Sequence, residues 1–200
     1  MERETRQLRA QITRFETRAA DEENAAPRIS GYFAVYNSVY EIDPTMSESI
    51  APGAFSGSLD TDVRALTNHD TTLVLGRTLA GTMSLRDDEH GLWADISINP
   101  NDGDAMNTWA RVSRGDVSQA SIGFEIVRED YEVSPDGHTH WTIREASLFE
   151  VSVCTFPAYE ATNVQARARE AADIRRRSLE AWKNKIKEVF SHGPASPAAP

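Results

Sequence analysis

The run from Ser118 to Phe156 limits the fold more than any other stretch of the chain. It reads SQASIGFEIVREDYEV, then SPDGH, then THWTIREASLFEVSVCTF. In its first half Ile122, Phe124 and Ile126 fall on one face of an extended strand, with Ser121, Gly123 and Glu125 on the other. In its second half Phe149, Val151 and Val153 share a face, and Glu150, Ser152 and Cys154 share the opposite one. Pro135, Asp136 and Gly137 between them are turn residues, each for a backbone reason. A period of two on both sides of a turn predicts two long paired strands, and the polar stretch REAS inside the second predicts a bulge or a break.

The same period recurs upstream. In RISGYFAVYN, Tyr32, Ala34 and Tyr36 alternate with Phe33 and Val35, and LAGTMSLRDDEHGLWADISI reads as a hairpin around RDDEHG. Only DGDAMNTWARVSRG breaks the pattern inside the core. An aspartate near its start, Met106, Trp109 and Val112 at helical spacing, and Gly115 as a stop predict one internal helix. The ends differ. MERETRQLRAQITRFETRAA carries Leu8, Ile12 and Phe15 at helical spacing and reads as a charged helix, followed by the polar linker DEENAAP. The expected organisation is therefore an N-terminal helix and linker over 1–28, a β-rich domain over 29–163, a basic C-terminal helix over 164–190 and a disordered tail over 191–200. The fold class is α+β, a mostly antiparallel β core with flanking helices.

Charge narrows the partners. The chain has a net charge of −10, but residues 29–163 alone carry twenty-one acids and seven arginines, whereas residues 164–200 carry four acids and eight bases. An acidic core repels polyanions, and the basic stretch RAREAADIRRR with Lys183, Lys185 and Lys187 reads as a solvated helix face, so no nucleic acid is expected as a partner. No apolar run reaches membrane-spanning length and the first residues do not resemble a signal peptide, so no membrane partner and a cytoplasmic location are expected. The single cysteine, Cys154, excludes an internal disulfide and gives no paired spacing for structural zinc. No cofactor is expected.

The residues that carry chemistry sit around the long strands. Hydrolysis by a serine needs an oxygen on a rigid element, a base within hydrogen-bond reach, and a group that orients the base. Ser121 supplies the oxygen. Among five histidines, His192 lies in the tail and His90, His138 and His140 lie in or beside turns, which leaves His69 in LTNHD as the base, or as a turn histidine beside Asp70. Glu150 is a carboxylate in the middle of an apolar strand, and a charge there wants a partner. An arginine such as Arg77 or Arg144 is the general expectation for that partner, and a histidine is the functional alternative. Gly123 or Arg77 could serve an oxyanion site. Cys154, inside an apolar strand, is a poor nucleophile, and HTH with Asp136 is a poor metal site.

SGYFAVYN, ESIAPGAF, LTNHD, LGRTLAGTMSL, GLWADISI, ASIGFEI and EASLFEVSVCTFPAYEAT, in this order, closely resemble the prohead maturation proteases of tailed bacteriophages, over residues 29–163. The resemblance implies an assemblin-like barrel, related to the herpesvirus assemblins, and a serine endopeptidase that cleaves the scaffold portion of the capsid protein inside the immature head. It implies His69 as general base, Ser121 as nucleophile and Glu150 in the third place, with Asp70 and Glu145 as rivals for that place. The implied partners are the major capsid protein and its scaffold segment, with possible self-association, in the host cytoplasm inside the prohead; the small-residue, proline-rich segment 191–200 adds the expectation that the chain also trims its own end. The alternative reading is a non-catalytic capsid-assembly or scaffold-binding module, and in a third the C-terminal helix is itself a piece of scaffold.

Overall fold

A computed structural model describes residues 5–10, 15–18, 26–156 and 161–191. The chain falls into two compact units, Met1–Glu160 and Ala161–Pro200.

The first unit runs β1 (Thr5–Ala10), β2 (Glu16–Arg18), β3 (Arg28–Val35), β4 (Tyr40–Asp43), β5 (Met46–Ile50), a 3₁₀ turn (Ser56–Ser58), β6 (Arg64–Thr67), β7 (Asp70–Arg77), β8 (Met83–Asp87), β9 (Gly91–Ser97), α1 (Gly103–Arg114), β10 (Gln119–Val133) and β11 (Thr139–Cys154). Among the described residues one sheet has the order β1-β10-β11-β5-β4, with β6 added to β11 and β7 added to β6, and the second has the order β2-β3-β9-β8. Pairing is antiparallel except along one edge of β11. There β5 runs parallel to Thr139–Ile143 and β6 runs parallel to Glu150–Val153. The architecture is thus the expected α+β type with a mostly antiparallel β core.

The inward faces of both sheets meet in one apolar cluster that includes Ile29, Phe33, Phe55, Ile96, Ile122, Phe124 and Val151. Phe55 stands edge-on to Phe124 with centroids 5.9 Å apart. Full burial of each such side chain contributes about 2 kcal/mol before the entropy of ordering it.

Local chemistry explains several element ends. The 83–97 hairpin turns where the Asp88 carboxylate accepts from the backbone N–H of His90 and Gly91, and a Cβ on Gly91 would stand 2.0 Å from the Ala34 carbonyl oxygen. Helix α1 starts where Asp102 accepts from the N–H groups of Asp104 and Ala105, and stops at left-handed Gly115, as its caps predict. Its fully buried stripe is Ala105, Thr108 and Val112, with Met106 and Trp109 only partly covered, so the buried face is rotated slightly from the expected one.

The N-terminal stretch departs from the expected helix: Thr5–Ala10 and Glu16–Arg18 are strands. β1 lies antiparallel on the edge of β10 from Thr5 opposite Glu125 to Ala10 opposite Ala120. Arginine, glutamine and leucine favour a helix only weakly, by tenths of a kcal/mol per residue, and the unpaired backbone of a strand edge overrides that preference. Phe15 leaves the expected helical stripe and packs on Phe33, centroids 5.4 Å apart. Ile12 and most of the 21–27 linker lie outside the described residues.

The second unit contains α2, Ala161–Ser191, which covers the expected C-terminal helix. On it Arg167, Ala171 and Ile174 are buried, while Leu179 and Trp182 are exposed. Residues 192–200 of the expected disordered tail lie outside the described residues, and no described helix is long and apolar enough to cross a membrane.

Candidate active site

His69 is placed by a strained turn. β6 and β7 are joined through Asn68 and His69, with φ of 53° and 59°. A two-residue hairpin turn with positive φ at both positions normally takes Asn-Gly. A histidine in the second position costs on the order of 1 kcal/mol, so the surroundings must hold it there. They do so through three contacts. The Asn68 N–H donates to the Val153 carbonyl at 2.9 Å, Asn68 Oδ1 accepts from the Thr155 N–H at 2.9 Å, and the His69 N–H donates to Ser152 Oγ at 3.2 Å. From beneath, Thr67 Oγ1 at the end of β6 contacts Thr108 Oγ1 of α1 at 3.1 Å, both residues buried.

Glu150 is placed by a bulge. Register on β10 passes from Gly123 opposite Glu150 to Phe124 opposite Leu148, which makes Phe149 an extra residue. Phe149 is consequently 38% exposed and does not share the buried face with Val151 and Val153, contrary to strict alternation. A second irregularity, between Ile126 and Glu129, falls opposite the start of the REAS stretch, where a bulge is expected. The side chain of Glu150 lies across Gly123: a Cβ there would stand 2.6 Å from Glu150 Oε1 and 2.9 Å from its Cγ. Gly123 is thus the residue whose missing side chain gives the carboxylate its place.

The two placements converge. Glu150 Oε1 hydrogen-bonds His69 Nδ1, and Glu150 Oε2 accepts from Ser152 Oγ at 2.5 Å. The side chains of His69 and Glu150 are 12% and 13% exposed. An ionised carboxylate at Nδ1 keeps the proton on that nitrogen, so Nε2 presents its lone pair. Nε2 is buried and has no hydrogen-bond partner among the described residues.

Ser121 sits on the adjacent strand, 0% exposed, directly opposite Ser152. Facing residues on antiparallel strands have Cα atoms about 5 Å apart and side chains on one face. Ser121, Ser152 and Glu150 therefore share the face over which the His69 turn is pinned. Ser152 is the residue that sequence reasoning passed over as a participant: it clamps the carboxylate with its hydroxyl and the histidine backbone with its oxygen. Its signal was its place two residues after Glu150 on the same strand face.

The alternatives are engaged elsewhere. Asp70 is exposed, and hydrogen bonds from the Thr72 hydroxyl and N–H hold its carboxyl below the usual range. Exposed Glu145 faces Arg128 at 3.8 Å. Neither arginine expected beside Glu150 is there, because Arg77 makes two 2.7 Å bonds to Asp62 and Arg144 a 2.8 Å bond to Asp130. Burial, and then the Glu150 charge, push the Cys154 thiol up to about 12, which leaves it inert near neutrality. His138 and His140 bond Ser47 and Ser49, and no group of three metal-ligating side chains occurs among the described residues.

Comparison with known proteins gives three findings. The family model of the caudovirus prohead serine protease matches residues 13–177. The prohead protease of Enterobacteria phage HK97 is 34% identical over 140 residues, which is 68% of this chain and 60% of that protein, so the chain spans about 60% of the length of this relative. Among solved structures, the capsid assembly protease of bacteriophage T4 aligns with a TM-score of 0.44 at 9% identity, over 76% of this chain and 98% of that one.

Proposed function

Because the chain belongs to the caudovirus prohead serine protease family, we propose that it is a serine endopeptidase whose catalytic residues are Ser121, His69 and Glu150. The observation that supports this reading is the Glu150–His69 hydrogen bond, which leaves a buried Nε2 without a partner among the described residues, while Ser121 stands opposite the Ser152 that holds both Glu150 and the His69 backbone. Ser121 Oγ attacks the carbonyl carbon of a peptide bond and passes its proton to His69 Nε2. Glu150 stabilises the imidazolium and fixes the ring. The same proton then goes to the departing amine, and the acyl ester on Ser121 is hydrolysed by a water that His69 deprotonates. Ser152 is a positioning residue in this scheme.

The substrate we infer is the scaffold portion of a phage capsid protein, cut inside the immature head in the host cytoplasm. The name of the HK97 relative supports this context. Self-cleavage within residues 191–200 belongs to the same proposal. Co-expression with the capsid protein, followed by intact mass measurement, tests it. Wild type shortens the capsid protein and its own C-terminal end, whereas a folded Ser121→Ala chain leaves both at full length. Unchanged processing by Ser121→Ala would refute the mechanism and favour the non-catalytic assembly module.

A further inference from the structure

The proposed nucleophile is shut in. Ser121 has no exposed surface, yet acyl transfer requires a peptide carbonyl carbon within about 3.5 Å of its oxygen. A peptide must therefore be let in beside it, and the strand that holds the edge of β10 opposite β11 is β1. Its six residues pair with Ala120–Glu125 in unbroken antiparallel register, with Arg9 opposite Ser121 and Gln7 opposite Gly123. β11 covers the other edge of β10, so β1 occupies the edge at which a peptide could reach this serine as a strand.

Two further observations mark β1 as an occupant rather than part of the frame. The family match begins at residue 13, so the strand lies outside it, and among the described residues of the matched region no other strand pairs with this edge of β10 from Ala120 to Glu125. Its sequence, TRQLRA, contains one β-branched residue, so pairing with β10 rather than intrinsic preference keeps it extended. The edge also leads somewhere. Just before β10 begins lies a groove lined by Phe15, Thr17, Val112, Gly115 and Val117, where a strand running past Ala120 would continue.

We propose that β1 is a removable strand that closes the site, and that the edge it covers receives an extended peptide of the substrate, added antiparallel to β10 in the register β1 now holds. This rests on the protease reading. Backbone hydrogen bonds supply the attraction, and the Ala120–Glu125 edge is free for only one strand at a time, so β1 and substrate compete. The chain is then slow on dilute peptide and fast where substrate is concentrated enough to displace β1, as in a packed shell.

Two full-length variants test this. Thr5→Cys with Glu125→Cys puts two cysteines on facing positions, and buried Cys154 stays out of the oxidation. The oxidised chain, its cross-link verified by mass, is expected to cleave peptide at least tenfold more slowly than its reduced form, with recovery on reduction. Gln7→Pro with Leu8→Pro removes two successive N–H groups, one of which faces β10, and is expected to lower KM several-fold with kcat little changed. A fluorescent peptide of residues 4–11 should bind the proline variant saturably and the oxidised chain not at all. Equal cleavage by oxidised and reduced forms, or no capture of the peptide by a folded proline variant, overturns the proposal. If no form cleaves any peptide while capture follows this pattern, the protease reading fails and the strand exchange stands.

Discussion

The two ends of β11 carry nearly the same side chains and arrange them differently. At the first end, beside β5, His138 Nε2 lies 2.7 Å from Ser47 Oγ, and His140 contacts Ser47 at 2.8 Å and Ser49 at 2.9 Å. At the second end, beside β6, His69 meets Glu150 and Ser152. Both ends are histidine–serine clusters on a parallel strand pair. The difference is one carboxylate. Hydroxyls donate and accept at once, so at the first end both His140 nitrogens are satisfied by neutral neighbours. A carboxylate only accepts, so it fixes the proton on one nitrogen of His69 and leaves the other with the lone pair that the proposed mechanism uses. Closeness of histidine and serine is therefore a poor mark of a catalytic pair, and the orienting acid is the better one.

The sharpest way to break this contrast is Glu150→Gln. It keeps the shape and removes the charge, and cleavage of capsid protein should fall on the order of a hundredfold or more. Near-normal kcat/KM would mean that the second end works no differently from the first. Next comes Ser152→Ala, which deletes a hydrogen bond to a charged oxygen worth about 1.5–3 kcal/mol, so kcat should fall roughly tenfold with KM little changed. A change confined to KM would point to a role in substrate binding instead.

The same end of β11 should show in stability. The Cys154 thiol is raised from about 9 to about 12. Below pH 9 the thiol is protonated in both states. Above it the unfolded chain loses the proton first, so stability falls by about 1.4 kcal/mol per pH unit until the folded thiol titrates near 12. Urea unfolding of wild type and Cys154→Ala at pH 8, 9 and 10 checks this, because the alanine variant should lack that part of the slope. The smallest effect is expected at the other end: His138→Gln and His140→Gln should each change kcat/KM by less than about twofold, and a larger loss in either would give the first cluster a role in the reaction.

How much of this was legible depends on what fixes each feature. The 83–97 hairpin, the caps of α1 and the place of Ser121 and Glu150 each on the less apolar face of its own strand follow from short-range rules, and the sequence shows them directly. Phe149 leaves the face that alternation gives it because a bulge is a decision between two strands, and neither strand's own pattern records it. β1 is a strand where its sequence suggests a helix for a related reason: its residues are indifferent, and a strand edge more than a hundred positions away decides. The partner of Glu150 was open between arginine and histidine because both satisfy a buried carboxylate, and only the fold says which one arrives.

The turn at Asn68 and His69 has a consequence for how such a chain can change. Glycine at 69 would relax the backbone, and most selection for a sturdier fold would move toward it. The position is thus one where robustness and chemistry pull in opposite directions. A sequence redesigned to relax this turn alone would write glycine there, and would lose the proposed base and orphan the Glu150 carboxylate without disturbing a single strand.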